Sequence, residues 1–251
     1  MANDAAALHL PDPGLCMMED YTIQDLAMEG RGEKLLELGA DPNRRDDHGW
    51  TALHLLAFLE AHPARVRQIL ERGAAVDAVA EDGATPLITA AGQDDDANFD
   101  LVLMLVDAGA NIRSVDANGE TALHHAAASG SRSVVGYLVA QGADVDRPNL
   151  AGMTALHLAI GQGDVETVQC LLMLGANPNA VENTGSTAAS MLAQNWEGRA
   201  ADHCLELAEL LRTLRDFGAD LRRPNSAGHC PYDIAAARLG SEVAAHFLMP
   251  G

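Results

Sequence analysis

Residues 116–148 read DANGETALHHAAASGSRSVVGYLVAQGADVDRP, and this stretch decides the fold. Asp116-Ala-Asn-Gly119 is turn chemistry, with a glycine free to take positive φ. Thr121 stands where a helix N-cap belongs, its hydroxyl able to accept from an unpaired backbone N–H of the first turn. Leu123, Ala126 and Ala127 then form an apolar face at helical spacing, and Ser129-Gly130 breaks the run. Val134, Val135, Leu138 and Val139 mark a second amphipathic helix, expected to pack antiparallel to the first. Gly142 ends it as a left-handed C-terminal cap. The exit, Ala143 to Pro148, reads as extended chain, with a Pro that cannot continue a helix. A helix pair this short cannot bury its own apolar face.

The rest of the chain repeats the same beat. Gly-Ala recurs at 39, 73, 109, 142, 175 and 218, at spacings of 34, 36, 33, 33 and 43. In phase with it run Thr51-Ala-Leu-His54, Thr85-Pro-Leu-Ile88, Thr121-Ala-Leu-His124 and Thr154-Ala-Leu-His157, with a worn copy at Thr187. Two independent markers holding one phase with a period of about 33 residues resemble the ankyrin repeat family. The resemblance covers roughly residues 20 to 249. It implies an all-α repeat solenoid of stacked helix-turn-helix units with β-hairpin-like loops, about seven repeats including degenerate caps. The expected organisation is an N-terminal extension, 1–19, then a repeat domain, 20–251. Its units are placed at 20–45, 46–79, 80–115, 116–148, 149–181, 182–224 and 225–251. The N-terminal unit has a vague first helix followed by Lys34-Leu-Leu-Glu-Leu38. The last replaces the motif Thr by Cys230 and the His by Asp233. Both read as caps, which repeat stacks need to shield their ends.

Composition agrees with such a stack. Aromatic residues make up only 4% of the chain, and Ala and Gly are abundant, which suits thin, closely packed helices. The balance of 36 acidic against 16 basic residues, a formal −20, disfavours phosphate backbones and invites a basic protein partner. The four cysteines show neither metal spacing nor a C-x-x-C pair, and Cys170 reads as a small buried apolar residue. Residues 1–13 lack a cationic segment and a long apolar run, so neither a secretory signal nor a membrane span is read there. The expectation is a cytoplasmic protein without nucleic-acid or membrane contacts, monomeric on its own.

Little in the sequence points to chemistry. His54, His124 and His157 recur once per unit, too far apart for one metal, and by resemblance hydrogen-bond the motif Thr and nearby backbone. Asp94, Asp96, Asn98 and Asp100 echo a calcium loop, but Phe99 and Leu105 stand where Gly and Glu are needed. An acidic connection whose Asp caps the next helix is the preferred reading. Asp202-His203-Cys204 are consecutive and cannot face one another on a helix. No phosphate loop or H-E-x-x-H motif occurs, so no enzyme, metal or cofactor is expected. Arg44, Arg45, Arg113, Arg147, Arg222 and Arg223 are read as pairing with local aspartates.

By resemblance, a partner would lie along a concave face made of hairpin tips and first helices. Carried over position by position, that face holds Trp50, Glu120 and Met153 before the motif Thr, and Leu150 at a turn. Phe58, Leu59, Gln93, Ser129 and Gln162 fall near the end of the first helices. The sixth unit runs about ten residues long through 194–204 and adds Trp196. Tryptophan is enriched in binding hot spots, and interrupting loops are favoured places for function. The expected function is a protein-protein interaction module, an inhibitor or immunity-type blocker of a basic partner. The alternative is an adaptor recruiting a client protein to an enzyme or complex.

Overall fold

In the computed structural model, the residues described are 21–27, 37, 39–59, 63–93, 98–194 and 204–239. The 1–19 extension, most of Lys34 to Leu38, Asp94, Asp96 and Trp196 lie outside them. The described chain folds as α1 (Ile23–Ala27), then α2 (Ala52–Phe58) with α3 (Pro63–Glu71), and α4 (Pro86–Ala91) with α5 (Phe99–Asp107). There follow α6 (Ala122–Ser129) with α7 (Arg132–Ala140), α8 (Ala155–Gln162) with α9 (Val165–Met173), α10 (Ala188–Gln194) with α11 (Cys204–Asp216), and α12 (Pro231–Leu239). Each first helix touches its own second helix and the first helices of adjacent pairs, and each second helix likewise touches the next second helix. The result is two parallel layers: α1, α2, α4, α6, α8, α10 and α12 within, and α3, α5, α7, α9 and α11 outside. This is a repeat solenoid.

One continuous apolar seam holds the layers together. Ala57, Ala91, Ala126, Ala127 and Ala159 are fully buried along the inner helices, where a larger side chain would hold neighbours apart. Leu53, Leu87, Leu123 and Leu156 are buried at the same motif position, and Ile69, Leu105, Leu138 and Leu171 answer them from the outer layer. Each such leucine contributes about 1.5–3 kcal/mol by leaving water. Cys170 is buried as the sequence implies, and burial pushes its thiol above its ordinary pKa.

The motif threonines cap the first helices as the sequence implies, with a reciprocal partner where His follows. Thr85, followed by Ile88, accepts from the Ile88 N–H at 3.4 Å, as an N-cap should. Where the third helical residue is His, Thr and His form a capping box, the Thr side chain accepting from the His N–H and the imidazole from the Thr N–H. Thr121 N–H donates to His124 Nδ1 at 3.2 Å, and Thr121 Oγ1 lies 2.9 Å from the same nitrogen. Thr51–His54 and Thr154–His157 repeat the pair. With Nδ1 accepting, Nε2 carries the proton and donates onward: His54 to Ala84 O and His124 to Met153 O, each at 3.2 Å. The histidines therefore fix their own turn, as expected, and His54 and His124 also stitch a unit to the next. In the last pair Cys230 and Asp233 rebuild the motif, with Sγ donating to Oδ2 at 3.0 Å.

The connections are hairpin-like turns without ladders; one antiparallel bridge, Val181 to Thr187, is formed among the described residues. Adjacent turns are laced by backbone bonds: Glu81 N–H to His48 O, Ala117 N–H to Asp82 O, Leu150 N–H to Asn118 O and Asn183 N–H to Ala151 O, all 2.8–3.0 Å. Gly83 shows the price of that closeness, because a Cβ there would sit 2.7 Å from Ala117 N while φ is +83°. The exit after Gly142 is not simply extended. Asp144 folds a turn, accepting from Asp146 N–H on Oδ1 and from Arg147 N–H on its carbonyl.

Two further expectations are corrected. Arg45, Arg147 and Arg223 donate to backbone carbonyls of Val79, Arg113 and Asn179 in adjacent units rather than to aspartates. Arg44 lies over the Tyr21 ring and Arg222 over Tyr232. Among the described residues no Asp caps α5 either. Asn98 holds the N-cap position, buried, with its Nδ2 reaching back to Ala57 O at 3.3 Å and no side-chain cap bond of its own.

Candidate functional site

The stacked turns and inner helices form one face, and most of the residues singled out from the sequence lie on it. At its N-terminal end Trp50 sits half-buried before the α2 cap. Its ring stacks on His54 at 6.1 Å and meets Phe58 edge-on at 5.7 Å. Seven residues separate Trp50 from the helix position of Phe58, two helical turns once the cap is counted, so both rings share one side of α2. Phe58 is 48% and Leu59 57% exposed, unusual for side chains of this size. Together with Ile23 and Leu55 they line a groove of about 510 Å³ whose other walls include Asp46, Glu81 and Asp82. Apolar side chains and carboxylates thus line it together.

Farther along, the expected residues are differently employed. Gln93 donates to Thr89 O, and Ser129 uses its hydroxyl on Ala91 O and Ala126 O, so both are tied to inner-helix backbone. Glu120 accepts from Asn149 Nδ2 at 2.8 Å. Leu150 is 74% exposed at a turn tip, resting over Gly119. Met153 is half-buried, its N–H held by Asn149 Oδ1 and its carbonyl taking His124. Gln162 is exposed at the end of α8. Trp50, Phe58 and Leu59 are thus brought together, while Glu120, Leu150 and Met153 form a separate central group. A second groove, of about 650 Å³, lies toward the C-terminal end and is lined by Gln194, Asn225, His229, Asp233 and Ile234.

One cluster escaped the sequence reading. Asp116, Glu120 and His125 converge in the centre of the face, with His125 Nε2 2.9 Å from Asp116 Oδ2 and 3.7 Å from Glu120 Oε2. Its signal was the second histidine of Thr121-Ala-Leu-His-His125, at a place held elsewhere by Leu55, Thr89, Leu158 and Met191.

The family model for ankyrin repeats (three copies) matches residues 26–116 and 95–182, more than half of the chain. The chain belongs to the ankyrin repeat family. Among curated proteins, Neurogenic locus notch homolog protein 1 of Xenopus laevis is 44% identical over 98 residues, which is 38% of this chain. Neurogenic locus notch homolog protein 2 of Homo sapiens is 38% identical over 96 residues. The match spans about 4% of the length of these relatives, so it reaches only part of what they are. Among solved structures, the ankyrin repeat domain of Bcl-3, a member of the IkappaB family, aligns with a TM-score of 0.74 and 25% identity, covering 92% of this chain and 98% of that one. The ankyrin repeat domain of human ASB11 gives 0.72 at 25% identity, covering 96% and 99%. Ankyrin repeat domains mediate protein–protein interaction, and the fold and its relatives are typically non-enzymatic interaction modules. No helix among the described residues is long and apolar enough to cross a membrane.

Proposed function

We propose that this ankyrin array binds a basic protein partner through its turn-and-inner-helix face, with Trp50, Phe58 and Leu59 as the anchoring group. One observation carries the reading: a groove lined by exposed aromatic and aliphatic side chains together with the carboxylates of Asp46, Glu81 and Asp82. Burying an apolar anchor supplies affinity, and the carboxylates steer and select a cationic partner. The laced turns add preorganisation, so docking costs little ordering entropy. Leu150, Met153, Glu120, Gln93, Ser129 and Gln162 extend the same surface toward the centre. The protein acts without catalysis of its own, as a monomeric blocker that covers a functional surface of its partner.

A second reading, an adaptor that recruits a client, is favoured by the separate groove at Gln194, Asn225, His229 and Asp233, in which Gln194 is the residue where the long sixth-unit segment begins in sequence. The two are separated by capture from native lysate at low and high salt, using the wild type, Trp50→Ala/Phe58→Ala and His229→Ala/Ile234→Ala. The blocker reading expects salt-sensitive capture of a basic protein, lost only in the first variant. Two captured proteins, each lost in a different variant, favour the adaptor. Undiminished capture by the first variant overturns the assignment of the site.

A further inference from the structure

We propose that Asp116, Glu120 and His125 form a binding site for a divalent transition ion of the zinc type. The three donor atoms lie within 4.8 Å of one another. With metal–ligand distances of about 2.0–2.2 Å, tetrahedral ligands stand about 3.3 Å apart. The observed 2.9 and 3.7 Å from His125 Nε2 to the two carboxylates straddle that value, and no two of the three donors are more than 4.8 Å apart, so side-chain adjustment alone can close them on an ion.

The carboxylates are already oriented from behind. Asp116 Oδ1 accepts from the Asn118 and Glu120 N–H groups at 2.8 and 2.9 Å, leaving Oδ2 turned to the imidazole. Glu120 Oε1 accepts from Asn149 Nδ2 at 2.8 Å, leaving Oε2 on the same side. Each carboxylate thus has one oxygen held by a donor outside the triad and one directed at Nε2, the outer-shell arrangement that fixes metal ligands. The Asp116 side chain is only 8% exposed, which lowers the local dielectric and favours a multivalent counter-charge over water. His125 lies beside Gly92, where a Cβ would come within 3.4 Å of its Nδ1.

The set occurs in a single unit. Equivalent positions to Glu120 and His125 carry Trp50 and Leu55, Ala84 and Thr89, Met153 and Leu158, and Ser186 and Met191. Nitrogen joined to two carboxylate oxygens suits a borderline ion such as Zn²⁺, whereas all-oxygen sets suit calcium or magnesium. Three protein ligands leave a coordination position for water or for a side chain of a bound partner.

The test is titration of the full, chelator-stripped chain with Zn²⁺ alone, in competition with a chromophoric indicator near neutral pH. One equivalent is expected to bind, and His125→Ala and Glu120→Gln are each expected to weaken it by about tenfold or more. Glu120→Gln keeps an oxygen for Asn149 and so preserves the turn. On the wild type, the His125 Nε2 resonance is expected to shift on zinc addition ahead of other imidazoles, a readout independent of any variant. Absence of zinc uptake, unchanged affinity in both variants, or first perturbation at another histidine overturns the site.

Discussion

His54, His124 and His157 predict that acid destabilises this protein before its carboxylates titrate. All three are essentially fully buried, and burial lowers each pKa below the ordinary 6.5. The native state binds protons at these rings more weakly than the unfolded chain does. As pH falls below about 6.5, protons therefore accumulate on the unfolded state and stability drops, while above it the full stability is present. Each histidine contributes a limiting slope of about 1.4 kcal/mol per pH unit, so three approach about 4 kcal/mol per unit before the folded rings titrate. His124→Leu removes one of the three. It also leaves the Thr121 N–H without its acceptor and takes one of two donors from the Met153 carbonyl, which keeps the Asn149 N–H, costing about 1–3 kcal/mol at neutral pH. Urea unfolding followed by far-UV circular dichroism between about pH 7.5 and 5.5 measures both effects. The wild type should lose stability steeply toward acid, and the variant about one third less steeply. Equal slopes in the two proteins would refute the claim that the buried, neutral imidazoles set the acid response.

Other perturbations separate backbone from packing effects. Gly142 has φ of +91° but open space at a Cβ, so Gly142→Ala should cost about 1–2 kcal/mol, the left-handed penalty alone. Gly83→Ala adds contact at 2.7 Å with Ala117 N and should cost clearly more, about 3 kcal/mol; equal losses in thermal unfolding would contradict the lacing of adjacent turns. Leu156→Ala, at 1% exposure, should cost about 2–5 kcal/mol, whereas Leu150→Ala, at 74%, should stay within about 0.5 kcal/mol and act only on binding.

The solenoid was legible because its determinants are local and repeated. Thr, Leu, the fourth-place His and the closing glycine each act within a few residues, and repetition multiplied a weak signal several times over. What escaped links positions about thirty or more residues apart. The onward bond from His54 to Ala84, the carbonyls chosen by Arg45, Arg147 and Arg223, and the turn of Asn98 toward Ala57 all depend on which unit lies alongside. Asp94 to Asp100 looked like a capping or calcium-type loop from composition alone, yet Asn98 is committed to the neighbouring helix. The candidate face divides the same way. Trp50, Phe58 and Leu59 share one helix and its cap, so their grouping could be read from spacing. The carboxylates of Glu81 and Asp82 could not, because they come from the next turn. His125 is the local exception: it was hidden beside the structural His124, and its meeting with Asp116 and Glu120, nine and five residues away, depends on how the turn folds against α6.

The central claim is that the partner docks on the groove lined by Trp50, Phe58 and Leu59. Hydroxyl-radical footprinting of the complex with the captured partner tests it most directly, since aromatic and aliphatic side chains report their own exposure. Docking there predicts strong protection of Trp50, Phe58 and Leu59, weaker protection of Leu150, and unchanged labelling of Met173 and Phe217, which are exposed where outer helices end. Protection of Met173 and Phe217 with Trp50, Phe58 and Leu59 labelled as in the free protein would contradict it.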